Sequence, residues 1–289
     1  MSAWHAGIAL ALESRGLTYT EDAHYLIAQC DHATLAAAMR EAGLVADALV
    51  VDAPYSERTH AGHKGGCDID GDAYAHQASS VDRRRAQRED LAFPAWTPDD
   101  VASFGEIWSP CVRGWRVSIT DHVLSSAWEA WYARDGLYAF APVAWLGAVR
   151  PRLVGDGPSA SACWIMVARP RTDAMRRWGT LRADYVIRSR ASDEGGVIGG
   201  KPLALMRAIV GDYSRDGDLV VDPCMGAGTT LVAAVELGRR AIGCEPDAGR
   251  FELAAKRLAK ARPQLRMRLD VEAVDGEQSS WSMPRGGVE

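Results

Sequence analysis

A doubly wound, mostly parallel α/β sheet with inserted loops is the fold class this sequence predicts. Three observations predict it. Short apolar runs ending in an acid alternate with segments of helical period, the pattern of strands crossing over through helices. One run, Val220-Val221-Asp222, passes into a Gly-x-Gly turn and then into a helical segment. And 289 residues of ordinary globular composition, 47% hydrophobic and 25% charged, suffice for one sheet covered on both faces.

The elements follow in order. Ala23–Ala28 reads as a strand leading to Gln29-Cys30-Asp31, and Leu35–Ala42 as an Ala-rich helix. Ala46–Asp52 is a buried strand opening into Ala53-Pro54-Tyr55. From about Gly62 to Phe93 no apolar period is sustained, so residues 62–95 are expected to form an inserted loop. Asp99–Trp108 is helical, with Thr97 as N-cap and Pro98 in the first turn. Trp115–Thr120 alternates as a strand, Val123–Arg134 is a helix closed by Gly136, and Ala162–Ala168 is a further strand. Pro202–Val210 carries Leu203, Met206, Ile209 and Val210 on one helical face. Asp218–Asp222 and Ala241–Glu245 are strands, Thr229–Leu237 and Phe251–Ala261 helices. Residues 278–289 look like a frayed tail. A single domain over 1–289 is expected.

Six cysteines are scattered with no C-x-x-C pair, so neither zinc nor a redox couple is indicated, and the reading is of small buried side chains in a reducing compartment. The N-terminus lacks the basic and apolar regions of a secretion signal, and no run approaches the ~20 apolar residues of a membrane helix. A cytoplasmic protein with no membrane partner is expected; a homodimer is left open. The net charge of −5 argues mildly against a nucleic-acid partner, but an electrostatic footprint is local. Arginines cluster between Arg169 and Arg190, and again at Arg83, Arg84 and Arg85.

The segment Asp222-Pro223-Cys224-Met225-Gly226-Ala227-Gly228-Thr229-Thr230 has the make-up of a cofactor loop. Glycine lets backbone approach a ligand closely. Glu245, 23 positions after Asp222, ends the next strand, where an acid can accept from ribose hydroxyls. No third glycine stands at dinucleotide spacing and no Gly-Lys-Ser/Thr follows. An acid before the glycines suits a cationic cofactor without pyrophosphate, which points to S-adenosylmethionine rather than NAD.

Asp52-Ala53-Pro54-Tyr55 and the glycine loop together resemble the Asp-Pro-Pro-Tyr and Phe-x-Gly-x-Gly motifs of the DNA amino-methyltransferases. Their order, catalytic motif first, resembles the β class of that family. Lys201-Pro202 is similar to the Lys-Pro motif before the family's cofactor glycines. Gln29-Cys30-Asp31 is similar to its Gly-Asp segment, whose acid faces the cofactor adenine. The resemblance runs from about Thr18 to Ala261. It implies a Rossmann-like methyltransferase sheet, S-adenosylmethionine as cofactor, and double-stranded DNA as partner. It also implies transfer to the exocyclic amino group of a flipped base, as in restriction–modification. Asp52, Ala53, Pro54 and Tyr55 would be catalytic. Asp31, Lys201, Asp222–Thr230 and Glu245 would bind the cofactor. An acid at position 52 goes with adenine N6 in the family, a serine with cytosine N4. The sequence departs from the pattern at Ala53, at Cys224 in place of phenylalanine and at Gln29 in place of glycine, which predicts a weaker hold on the cofactor.

Recognition of DNA is expected from 169–197, through Arg176, Arg177, Arg182 and Arg188, with Arg83–Arg85 as the competing set. His60 and His63 invite a metal reading, but no third ligand has suitable spacing and solvated loop histidines are expected. Alternatives are the same fold acting on cytosine N4 or RNA, a nucleotide-binding oxidoreductase, and a non-catalytic DNA-binding relic.

Overall fold

The computed structural model describes residues 4–64, 93–146, 162–187 and 200–264, with the side chains of 61–64 excepted. Within them a ten-stranded sheet carries helices on both faces. In chain order the elements are α1 (Ala6–Glu13), β1 (Tyr19–Glu21), β2 (Tyr25–Ala28), α2 (His32–Glu41), β3 (Ala46–Asp52), α3 (Glu57–Lys64), α4 (Pro98–Trp108) and β4 (Val112–Thr120). There follow α5 (Ser125–Arg134), β5 (Tyr138–Ala139), β6 (Val143–Leu146), β7 (Ala162–Arg169), α6 (Asp173–Arg176) and β8 (Asp184–Val186). The chain closes with α7 (Leu203–Tyr213), β9 (Leu219–Asp222), α8 (Thr229–Glu236), β10 (Arg240–Cys244) and α9 (Ala248–Leu258).

The strand order is β1-β2-β10-β9-β3-β4-β7-β6-β8, with β5 paired to β7. The five strands β2, β10, β9, β3 and β4 run parallel. β1 is antiparallel to β2, and β7 is antiparallel to β4, β5 and β6. Alternate residues of each central strand feed opposite layers. Leu49 and Val51 of β3 and Val221 of β9 pack under α1, α2, α4 and α5, whereas Ala48, Val50 and Val220 pack under α7, α8 and α9. The first layer holds an aromatic cluster in which Phe104 touches Trp96, Trp108, Trp128 and Trp131. Each fully buried ring of this kind contributes about 1.5–3 kcal/mol by leaving water.

Local signals explain the boundaries. α4 opens on a reciprocal capping box between Thr97 and Asp100, with Pro98 in its first turn. Gly136 takes a φ of +67° where α5 ends. The short strands β1, β5 and β8 and helix α1 lack a periodic signature and were not expected from the sequence. His60 corrects the reading of a solvated histidine: it lies buried on α3, edge-on to the ring of Phe93. The side chain of His63, most of the 62–95 insertion and the 278–289 tail lie outside the described residues. Among the described residues no helix is long and apolar enough to cross a membrane, and no cluster of His, Cys, Asp and Glu could hold a metal.

Candidate active site

Parallel strands deliver their carboxyl ends to one edge of the sheet. β9 is flanked there by β10 and β3, and the chain from β9 proceeds to β10 while β3 arrived earlier. That reversal opens a crevice between β9 and β3, the usual ligand position of such sheets. Asp52 ends β3, Asp222 ends β9, Glu245 follows β10 and Asp31 follows β2.

The loop after β9 is shaped by its glycines. Gly226 and Gly228 take φ of +50° and +75°, the left-handed region open to glycine. A Cβ on Gly228 would press on Ala254 of α9 at 3.0 Å, so this glycine serves packing. A Cβ on Gly226 would meet open space, so this glycine fronts the crevice. The loop is pinned from below: Gly228 N donates to Met225 O at 2.7 Å, and the Arg257 guanidinium donates to Ala227 O at 2.6 Å and to Thr229 Oγ1 at 2.9 Å. Pro223, Met225, Ala227, Thr229 and Thr230 are buried, while Cys224 and Gly226 keep partial exposure toward the crevice.

The electrostatics are those of a cation site. Burial pushes the Asp222 carboxyl up to about 7, against hydrogen bonds from Thr230 and the Cys224 N–H, with Asp52 and Glu245 adding repulsion. Burial also raises Glu245, whose Oε1 accepts from Asp247 N at 3.0 Å. Buried carboxylates that repel one another favour a bound positive charge. The open face of Gly226 and these acids fit a cationic, pyrophosphate-free cofactor. Asp31 sits exposed at the rim. Burial acts to raise its carboxyl, but hydrogen bonds from Thr34 N at 2.8 Å and Thr34 Oγ1 at 2.9 Å, which cap α2, bring it below the usual value.

On the other side of the crevice, Asp52 is raised by burial and opposed by Lys201, whose Nζ donates to Oδ2 at 2.5 Å. The Tyr55 hydroxyl donates to Asp52 Oδ1 at 3.3 Å and lies 3.8 Å from Cys163 Sγ. Ala53 is buried and Pro54 half-buried. Lys201, expected to bind the cofactor, contacts the acid of the tetrapeptide.

Sequence reading missed the residue that fixes this loop. Asp121 stands one residue past β4, and its Oδ2 accepts from Ser56 N at 3.0 Å, Ser56 Oγ at 2.5 Å and Thr59 Oγ1 at 2.5 Å. Oδ1 accepts from Val123 N and Leu124 N. Burial would raise this carboxyl, but these bonds outweigh it and hold it below the usual range. An acid after a buried strand, the signal used for Asp52 and Asp222, also marks Asp121.

Arg176, Arg177 and Arg182, expected to meet DNA, lie toward the other edge of the sheet. β7 runs antiparallel, with Trp164 beside Thr120 at the carboxyl edge and Arg169 at the opposite end. Five residues of strand separate them, roughly 16 Å. The turn after Arg169 therefore sets Arg176, Arg177 and Arg182 at the amino edge, away from Asp52. There Arg169, Arg176 and Arg182 line a cleft of about 500 Å³ with Trp115, Phe140, Trp178 and Tyr213. Arg182 is paired with Asp212 at 2.5 Å, and Arg215 lies 3.9 Å over the Trp178 ring. Arg188 and Arg83–Arg85 lie outside the described residues.

The DNA methylase family matches residues 70–256, more than half of the chain. The chain belongs to that family. The matched range takes in the glycine loop, Lys201 and Glu245 and begins beyond the Asp52–Tyr55 tetrapeptide. Among curated relatives, the Type II methyltransferase M.HindIII of Haemophilus influenzae is 28% identical over 140 residues, covering 46% of this chain and 45% of that protein. The Type II methyltransferase M2.DpnII of Streptococcus pneumoniae is 41% identical over 58 residues, 20% of this chain and 22% of that one. The matches thus span less than half the length of these relatives. The family member's fold is shared with the solved M1.HpyAVI–SAM complex at a TM-score of 0.58, with 19% identity over 81% of this chain and 98% of the other. It is shared too with the cytosine-N4-specific PvuII DNA methyltransferase at a TM-score of 0.51, with 11% identity over 81% and 86%.

Proposed function

We propose that this methylase-family chain transfers a methyl group from S-adenosylmethionine to the exocyclic amino group of a flipped base in double-stranded DNA, with adenine N6 as the target. The observation that carries the reading is the meeting of Asp52 with Asp222 and Glu245 across one crevice, at the ends of the paired strands β3 and β9 and of β10. Family membership and the Type II methyltransferase names of the relatives support it.

Bound S-adenosylmethionine supplies an electrophilic methyl group on a cationic sulfonium. Asp222 and Glu245 supply the negative field and the ribose acceptor on its side of the crevice. An exocyclic amino group is a weak nucleophile because its lone pair is delocalised into the ring. Asp52 accepts one amino N–H and a main-chain carbonyl of Ala53 or Pro54 accepts the other. This favours a pyramidal nitrogen and stabilises the charge that grows on it. Tyr55 stacks on the base, which must leave the duplex to arrive in this pose. Much of the remaining barrier is overcome by alignment. An acid at position 52 favours adenine over cytosine N4.

The test is incubation with methylation-free duplex DNA and methyl-labelled cofactor, followed by nucleoside analysis. N6-methyladenine is the expected product. N4-methylcytosine would retain the chemistry and change the base; label on RNA alone or in no nucleoside would overturn the reading.

A further inference from the structure

Lys201 does at Asp52 what the proposed substrate has to do. Its Nζ donates to Oδ2 at 2.5 Å and stands 5.1 Å from the centroid of the Tyr55 ring. A base amino group in the reactive pose would donate to the same carboxylate and lie over the same ring. We propose that Lys201 is a positioning residue that keeps Asp52 in its ionised, accepting form in the empty site and yields that place to the amino group of the incoming base. This rests on the reading of Asp52 as the acceptor of the base amino group.

The surroundings show why such a residue is needed. Asp52 is faced by Asp222 and Cys224 from β9 and its loop, by Cys163 from β7, by Tyr55 from its own loop and by Lys201 from the turn before α7. Lys201 is the cation in that set. Burial favours the protonated carboxyl, which cannot accept a second N–H as the carboxylate does. Lys201 opposes this by charge and by its hydrogen bond. The Tyr55 hydroxyl on Oδ1 orients the carboxyl group, so that Oδ2 is the oxygen exchanged between lysine and base.

The lysine has a readout that does not need turnover. Asp52 is followed by carbon NMR of labelled aspartate, assigned with Asp52→Asn, in the wild-type protein and in Lys201→Met and Lys201→Arg. An opposite charge at this range moves a carboxylate by about 1–3 units. Lys201→Met should therefore raise the Asp52 midpoint by a unit or more, and Lys201→Arg should restore most of it. In methyl transfer, the acidic limb of kcat/KM should rise with the Asp52 midpoint in Lys201→Met, and activity should return above that limb. Cofactor affinity measured by calorimetry should stay within twofold. An unmoved Asp52 midpoint in a folded Lys201→Met overturns the proposal, as does a loss of activity equal at every pH or a loss carried by cofactor binding. If the midpoint moves and the wild-type protein methylates no nucleic acid, the hold of Lys201 on Asp52 stands and the proposed function fails.

Discussion

The carboxyl and amino edges of the sheet both gather charge, the first as a cluster of buried carboxylates and the second mainly as exposed arginines beside a cleft. At the carboxyl edge, Asp222, Glu245 and Asp121 are buried and Asp52 is pressed between Lys201 and Tyr55. At the amino edge, Arg176 and Arg177 are exposed, and Arg182 is met by Asp212 on the surface. Burying charge costs free energy unless partners or a ligand offset it, so a cluster of buried acids signals function in a way that exposed arginines do not.

The sharpest break between the edges is Asp52→Ala. Loss of the acceptor should lower kcat by about 10²–10³ while cofactor binding is nearly unchanged. Single-turnover methyl transfer and calorimetry on the same preparation check both halves. Next comes Asp121→Ala, which deprives Ser56 and Thr59 of their buried acceptor. It should lower stability by about 2–3 kcal/mol in urea unfolding, given the strength of hydrogen bonds to a charged group. Glu245→Ala should weaken cofactor binding by about 1.5–3 kcal/mol, roughly 10–150-fold in Kd. Equal affinity in that variant would remove the ribose-acceptor role.

The pH dependence sharpens the comparison further. Asp222 titrates near 7 in the fold against an ordinary 3.8. Because the folded value is raised, the folded state holds the extra proton. Its contribution to stability is full below about 3.8 and is lost as pH rises to about 7. Cofactor binding has the opposite sense, since a cation favours the ionised form. Affinity for S-adenosylmethionine should rise between about pH 5 and pH 7 with release of a proton, and Asp222→Asn should flatten both trends. Calorimetry in two buffers of different ionisation enthalpy reads the proton directly. The smallest effect is expected at the amino edge. Replacing Arg176, Arg177 and Arg182 by alanine should leave DNA affinity within about twofold and the salt slope unchanged, where phosphate contacts would flatten it by about 0.9 each.

What the sequence made legible follows from how each feature is encoded. The central strands, the glycine loop and the acids at strand ends are local signals: an apolar run, a turn and the residue that follows. Hence Asp222 and Glu245 could be grouped before any geometry was known, and Asp52 joined them through the resemblance of its tetrapeptide to a family motif. The short strands β1, β5 and β8 are set by pairing with distant neighbours and carry little period of their own. Asp121 was passed over because its partners, Ser56 and Thr59, lie more than sixty residues earlier. Lys201 was read as a cofactor residue from its motif, and its contact with Asp52, across 149 positions, has no local signal. The place of the arginine cluster is non-local in the same way: only the antiparallel course of β7 shows which edge its turn reaches.

The most direct test of the account is a crystal structure with a non-reactive S-adenosylmethionine analogue and a short duplex. The account predicts the analogue in the crevice between β9 and β3, its ribose on Glu245 and its sulfonium side facing Asp52, with the extruded base on Tyr55 in the place of the Lys201 ammonium. An analogue or a base lodged in the cleft beside Trp115 and Trp178, with Asp52 and Lys201 still paired, would contradict it.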